Sequence, residues 1–398
     1  MNKGIAITGM GIISSIGNTV EENLDALKSV SHGISRIQML KTRHSEEIMV
    51  GEIKKTNDDL EKELGLEPMH SFSRTAMIGT IAAKEALQNA QISDVNEYRT
   101  GFVSGTSVGG MDTTEKYYLG YTEIEDNRRF IQAQHAGFTT QSISNYLGIN
   151  GYVSTISTAC SSAANAIMLG ARMIQAGKID RMVVGGTDAL SKFTINGFGT
   201  LMILSDAECT PFDDNRKGLN LGEAAAFIVL ESDAIVEKDN KKVLGRVAGW
   251  ANANDAYHQT ASSSDGEGAY QAMKKALKIA DMTAKDIDYV NAHGTATPNN
   301  DLSEGVAMTR VFGEENPPIF SSTKAFTGHT LAAAGSVEAV YSLLSLRENL
   351  IFPNLNFKTK MKEFSLVPQT ELVTKEVKTI LSNSFGFGGN CSTLIFTK

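Results

Sequence analysis

Two kinds of hydrophobic patterning alternate along the chain. RMVVGG (181–186), AAFIVLE (225–231) and STLIFTK (392–398) are short, nearly continuous apolar runs rich in β-formers. RTAMIGTIAAKEALQNA (74–90) and GAYQAMKKALKIA (268–280) instead keep helical spacing. Strand-like and helix-like runs in alternation predict an α/β architecture with at least one well-covered sheet. No low-complexity linker separates the halves, so they are expected to be fused tightly rather than tethered.

The pattern also repeats itself. ALQNAQISDVNEYRTGFVSGTS (86–107) is echoed by ALKIADMTAKDIDYVNAHGTAT (276–297), with a one-residue gap. Each reads helix, acidic turn, tyrosine, strand and Gly-Thr. A spacing of about 190 residues is near half the chain, which points to two related α/β halves rather than a solenoid.

A second echo lies where strands hand over to helices rich in small residues. ISTACSSAANAI (156–167) places Cys160 at such a junction, and IFSSTKAFTGHTLAAAGSVEAV (319–340) places His329 near the start of its helix. Helices dominated by Ala, Gly and Ser allow close backbone approach, so both are expected between sheets, with Cys160 and His329 deep in the molecule. At a helix N-terminus the dipole and unpaired N–H groups lower a thiol pKa. The alternative is a small buried residue, since free cysteine is among the most buried types. Cys209 and Cys391 are read in that second way.

Composition narrows the classes. The 398 residues suit two fused domains, with 41% hydrophobic and 21% charged positions and a net charge of −8, which argues against nucleic-acid binding. Three scattered cysteines make neither a disulfide framework nor a zinc site and fit a reducing cytoplasm. Glycines break the apolar start of the chain and no small-residue cleavage site follows, so no signal peptide is expected. No run of about 18 apolar residues predicts a membrane span. Gly9-Met-Gly11 lacks the third glycine of a dinucleotide fingerprint, because Ser14 stands there.

Seven histidines are present, of which His32, His44 and His70 sit in polar, solvent-facing segments. His293 ends the run DYVNAH before Gly-Thr-Ala-Thr-Pro, and His329 lies five residues after Lys324 in KAFTGHT. No ligand cluster with metal spacing accompanies them. SNSFGFGGN (382–390) ends the series with glycines dense enough for a tight or mobile turn whose N–H groups approach a ligand, or for an ordinary glycine hairpin.

STACSSA, PFDDNRKGLNLGEAAA, VNAHGTATPNND, KAFTGHTLAAAGSVEA and NSFGFGG, in that order, resemble the elongating, type II β-ketoacyl-acyl-carrier-protein synthases over essentially the whole chain. The resemblance implies the thiolase fold: two duplicated α/β halves forming a five-layer αβαβα core. Residues 1–243 would carry the nucleophilic cysteine and 244–398 both catalytic histidines. It implies decarboxylative Claisen condensation of an acyl thioester with malonyl-acyl-carrier protein, in fatty-acid, polyketide or aryl-polyene synthesis. By motif, Cys160 is implied as nucleophile, His293 and His329 as catalytic histidines, and Lys324 and Glu338 as a supporting buried pair. Thr295 and Thr297 are implied to contact the phosphopantetheine arm. Phe387 is implied as the gate, its N–H joining that of Cys160 in an oxyanion hole. The substrates ride on phosphopantetheine and no other cofactor or metal is implied. A homodimer follows from the family, or a heterodimer with a chain-length factor.

Two features depart from the pattern: Asn390-Cys391 stand where the family usually has Thr-Asn, and LGEAAA replaces a more glycine-rich segment. Two competing readings remain. One is a non-catalytic chain-length factor, against which Cys160 argues; the other is a cysteine hydrolase. For carrier docking, Arg128 and Arg129, after Glu123-Ile-Glu125-Asp126, form the candidate basic patch, with Arg74 a weaker one.

Overall fold

The computed structural model describes residues 4–398; the first three positions, part of the start weighed above as a leader, lie outside the described residues. Ten strands form one continuous sheet in two blocks of five. In the first block β1 (Ile5–Ile13), β2 (Thr100–Gly105), β3 (Val153–Ile156), β4 (Arg181–Asp188) and β5 (Ala224–Glu231) lie in the spatial order β3-β2-β4-β5-β1. In the second, β6 (Gly245–Asn254), β7 (Tyr289–Asn291), β8 (Ile319–Ser321), β9 (Thr379–Gly386) and β10 (Asn390–Thr397) lie in the order β8-β7-β9-β10-β6.

Strand for strand, the two orders are the same. So are the directions: the first strand of each block is antiparallel to the fifth, the fifth antiparallel to the fourth, and the remaining pairs parallel. The blocks join where Ile5–Ile7 of β1 pair with Gly245–Val247 of β6. The echo read from the sequence falls on the second strand of each block and the helix before it, with β7 shorter than β2.

Helices fill the layers around these sheets. α1 (Arg74–Asn89) and α2 (Ala136–Leu147) cover the outer face of the first block, and α4 (Glu267–Ala280) and α5 (Pro298–Phe312) that of the second. α3 (Ser162–Gln175) and α6 (Ala334–Glu348) pack against each other between the sheets. Every residue of α6 from Ala334 to Leu346 is buried, as expected of a helix enclosed on all sides. The small residues singled out in the sequence make that closeness possible.

Gly9 and Gly11 serve the same end. A β-carbon on either would stand 2.3 or 2.1 Å from a carbonyl oxygen of α1, at Ala86 and Ala82 respectively. They bring β1 against α1 and lie within the strand, so they make no phosphate loop. Among the described residues, no helix is long and apolar enough to cross a membrane.

Candidate active site

The corner carrying Cys160 is built locally. Ala159 takes a left-handed backbone (φ 51°), which costs a non-glycine residue about 1–3 kcal/mol, so neighbours must hold it. Ser162 Oγ donates to the Ala159 carbonyl (2.6 Å) and accepts the Thr158 N–H (2.9 Å). Ser161 Oγ donates to the Thr158 carbonyl (2.7 Å). α3 then begins at Ser162.

The thiol itself corrects one expectation. Helix position predicts a lowered pKa, but burial pushes the Cys160 thiol up to about 12. The Lys324 ammonium pulls against that rise, the Asp188 carboxylate adds to it, and the N–H groups of Cys160 and Phe387 pull the thiol down. The thiolate loses more hydration in this dry site than those groups return. Cys209 and Cys391, the two cysteines read as core residues, are buried and pushed up to about 12 as well.

His293 lies two residues beyond β7, in a loop pinned by two carboxylates of α5. Glu304 accepts the N–H groups of His293 and Gly294 (2.8 Å each) and the side-chain amide of Asn383 (3.0 Å). Asp301 accepts those of Thr295 (2.9 Å), Ala296 (3.1 Å) and Phe212 (2.7 Å). Burial pushes Glu304 up to about 7. Thr297 caps α5 with Pro298 at its first turn. Asp301 and Glu304 are three residues apart on a helix, hence on one face, a signal that the sequence reading missed.

His329 sits farther from its helix than expected. It occupies a turn ahead of α6, zipped to the segment before β5: its N–H donates to Asn220 (2.7 Å) and its carbonyl accepts from Gly222 (2.9 Å). Asp188, at the end of β4, ties that turn to the first block through the N–H of Ala332 (3.0 Å) and the hydroxyl of Thr106 (2.6 Å). Asp188 too was not singled out in the sequence, since nothing local marks it.

Around these rings the charges are arranged. Lys324 Nζ pairs with the Glu338 carboxylate, which also accepts from Ser384 Oγ (3.2 Å), and lies 3.2 Å from His293 Nδ1. The imidazoles meet edge to face, centroids 5.4 Å apart and planes at 89°. Burial first, then the Lys324 charge, holds both well below the ordinary histidine range, with His329 adding to the effect on His293. Both are therefore neutral near pH 7. Lys324 donates to Nδ1 of His293, and the Leu331 N–H donates to Nδ1 of His329 (3.2 Å). A neutral imidazole accepting at Nδ1 carries its proton at Nε2, so both rings are donors there.

Cys160, His293, His329, Thr295, Thr297 and Phe387 line one cavity of about 270 Å³, with Phe198, Met202, Ile203 and Lys217 among its other walls. The hydroxyls of Thr295 and Thr297 are 2.9 Å apart. Phe387 opens the turn between β9 and β10, so the glycine segment is both a hairpin and a cavity wall, and its ring stacks on Phe198 (centroids 5.8 Å apart).

The docking candidates separate. Arg74 is largely buried: its guanidinium pairs with Glu223 (2.6 Å) and reaches the carbonyls of Ile53 and Lys55, so its charge is engaged within the fold. Arg128 is exposed, while Arg129 lies over the Phe130 ring (4.6 Å).

Comparison with known proteins agrees with this geometry. The family "Beta-ketoacyl synthase, N-terminal domain" matches residues 2–234 and "Beta-ketoacyl synthase, C-terminal domain" matches residues 244–358. The 3-oxoacyl-[acyl-carrier-protein] synthase 2 of Staphylococcus aureus (strain COL) is 34% identical, covering 100% of this chain and 99% of the relative. The ishigamide ketosynthase/chain length factor superposes with TM-score 0.93 at 26% identity over 100% of both chains. A type II PKS acyl-carrier protein in complex with its ketosynthase, bound to the hexaketide, gives TM-score 0.87 at 25% identity, over 100% of this chain and 99% of that one. With both family domains in sequence and a relative matched end to end, this chain belongs to the β-ketoacyl synthase family and is an acyl-transferring condensing enzyme of the β-ketoacyl-acyl-carrier-protein synthase type.

Proposed function

We propose that Cys160 takes the acyl group and that His293 and His329 drive the condensation with malonyl-carrier protein. The observation that carries this reading is the pair of neutral imidazoles, both donating from Nε2, in the cavity that holds the thiol. In the first step the Cys160 sulfur attacks the incoming thioester, the carbonyl–sulfur bond to pantetheine breaks, and the departing pantetheine sulfur takes the thiol proton. The N–H groups of Cys160 and Phe387 receive the oxyanion.

In the second step the malonyl group loses CO2 and the freed electron pair becomes an enolate. Its oxygen accepts from the two Nε2–H donors, which carry no charge and do not compete as nucleophiles. The carbanion attacks the Cys160 thioester, and the released thiolate takes up one proton. The electrons come from the broken C–C bond, so the chemistry calls for no metal or redox cofactor. Thr295 and Thr297 hold the pantetheine arm. Residues 1–243 supply the nucleophile and 244–398 both histidines.

The partner is an acyl carrier protein, as in the type II PKS complex above. Arg128 and Arg129 are the docking pair. Lys41, Arg43 and Lys192, with Glu47 among them, line an open surface cavity that shares Met202 with the Cys160 cavity. The chain forms a homodimer, or a heterodimer with a chain-length factor. β3 supports this: it ends the sheet, pairs on one side only, and is half-exposed along all four residues. Three free cysteines fit a reducing cytoplasm.

Incubation with acyl-carrier protein, followed by peptide mass spectrometry, should add one acyl mass to the peptide containing Cys160, and later malonyl-carrier protein should convert it to a β-ketoacyl product. Hydrolysis of the thioester without C–C bond formation would favour a cysteine hydrolase. A panel of acyl donors identifies the chain length and pathway.

A further inference from the structure

The oxyanion hole is assembled from distant pieces: the Cys160 N–H from the corner before α3, and the Phe387 N–H from the turn between β9 and β10. Within the second block that turn is tied to the segment after β6, the Gly388 N–H donating to the Gln259 carbonyl (2.7 Å) and the Gly389 carbonyl accepting the Asp255 N–H (2.9 Å), but these bonds do not reach the Cys160 corner. Gly388 and Gly389 both have left-handed backbones (φ 80° and 76°), conformations that glycine adopts freely and leaves freely. Yet it packs backbone to backbone on the corner: a β-carbon on Gly386 would stand 2.7 Å from the Thr158 carbonyl and 3.1 Å from the Cys160 nitrogen.

Asn390, the first residue after the turn, crosses that junction. Its side-chain carbonyl accepts from Ser161 Oγ (2.7 Å), Asn165 Nδ2 (3.0 Å) and Asn252 Nδ2 (2.7 Å). The donors are themselves tied down. Asn165 Nδ2 also reaches Thr158 Oγ1 (2.9 Å), Ser392 Oγ donates to Asn165 Oδ1 (2.7 Å), and Asn252 Nδ2 reaches Ser392 Oγ (2.9 Å). Ser161 and Asn165 belong to the corner and helix of the first block; Asn252, Asn390 and Ser392 belong to the second.

We propose that Asn390 is the positioning residue of the oxyanion hole, its side-chain carbonyl fixing the Gly386–Gly389 turn, and with it the Phe387 N–H, against Cys160. The inference rests on the acyl-transfer role of Cys160 proposed above. Asn390 touches no reacting atom. It acts through the Phe387 N–H, which has two tasks: receiving the thioester oxyanion and favouring the thiolate. No hydrogen bond joins Asn390 to His293 or His329.

The test measures three quantities on Asn390→Ala, Asn390→Asp and the parent: acylation of Cys160 from acyl-carrier protein, CO2 release from malonyl-carrier protein, and the pH profile of Cys160 alkylation by iodoacetamide. Asn390→Ala should slow acylation about 10- to 100-fold, the cost of misplacing a catalytic group by a fraction of an ångström to 1 Å. It should leave the KM for acyl-carrier protein and the decarboxylation rate within about two-fold, and move the alkylation profile to higher pH. Asn390→Asp, which keeps the accepting oxygen, should recover most of the acylation rate. Pairing Asn390→Ala with Asn252→Ala should slow acylation no further than Asn390→Ala alone, because both act through one cluster. Unchanged acylation in Asn390→Ala overturns the inference, as does an equal fall in acylation and decarboxylation, which would mark a general structural role. A parent that fails to acylate Cys160 would instead refute the proposed function.

Discussion

The ammonium of Lys324 lies 3.2 Å from Nδ1 of His293 while it pairs with the buried carboxylate of Glu338. One cation thereby sets the ring's tautomer, by donating to Nδ1, and adds to burial in keeping the ring neutral, by opposing a second positive charge nearby. Glu338 in turn accepts from Ser384 Oγ, which fixes the carboxylate that holds the lysine in place.

That arrangement predicts how the rings titrate. Both histidines are held well below 6.5, so neither should take up a proton as pH falls from 8 to 6. Removing the neighbouring cation makes protonation easier, so Lys324→Met should move the His293 midpoint upward. It should also slow decarboxylation by about 100-fold, because the Nε2–H donor is no longer enforced. NMR titration of ring-labelled histidine reads the first effect; a parent His293 midpoint at or above 6.5 contradicts the arrangement.

The Cys160 thiol makes a second prediction. Pushed up to about 12, it is protonated throughout the neutral range in the free protein. Alkylation by iodoacetamide should therefore rise about ten-fold per pH unit from pH 7 to 9 without a plateau, as expected when only the thiolate reacts. A plateau below pH 8 would show a thiolate already formed in the resting enzyme.

The two half-reactions should separate by residue. His293→Ala and His329→Ala should each cut CO2 release from malonyl-carrier protein about 100- to 1,000-fold, the usual cost of one lost donor of this kind, while still acquiring the acyl label. Cys160→Ala should lose the label entirely, with none on Cys209 or Cys391. Slow acylation in His329→Ala, rescued at high pH, would instead make that ring a general base. The Leu331 N–H on its Nδ1 argues for the donor role.

The arginines should divide in the same way. Reversing Arg128 and Arg129 to glutamate should raise the KM for carrier-borne substrates at low salt and spare small thioesters. Arg74→Ala should leave KM unaffected and lower stability by about 3–5 kcal/mol, because it strands the buried Glu223 carboxylate. Thermal denaturation and KM measured on the same samples test both.

Much of this protein is legible along the chain because its causes are local. Strand and helix periodicity, the repeated helix-turn-strand unit and the corner at Cys160 all depend on neighbours within a few residues. The short motifs around His293 and His329 are local too, which is why they carry the family resemblance. Only tertiary structure could decide what depends on burial or on convergence. The helix end at Cys160 predicts an acidic thiol, and the packed interior reverses its sign, since desolvation is set by everything around the sulfur. Arg74 reads as a free charge until Glu223, 149 positions away, is seen beside it. Asp188 holds the His329 turn across 144 positions, and Asn390 meets Ser161 across 229. Such pairings carry no periodicity and no motif: they exist because two like-ordered blocks of sheet close on each other and bring unrelated loops to one cavity.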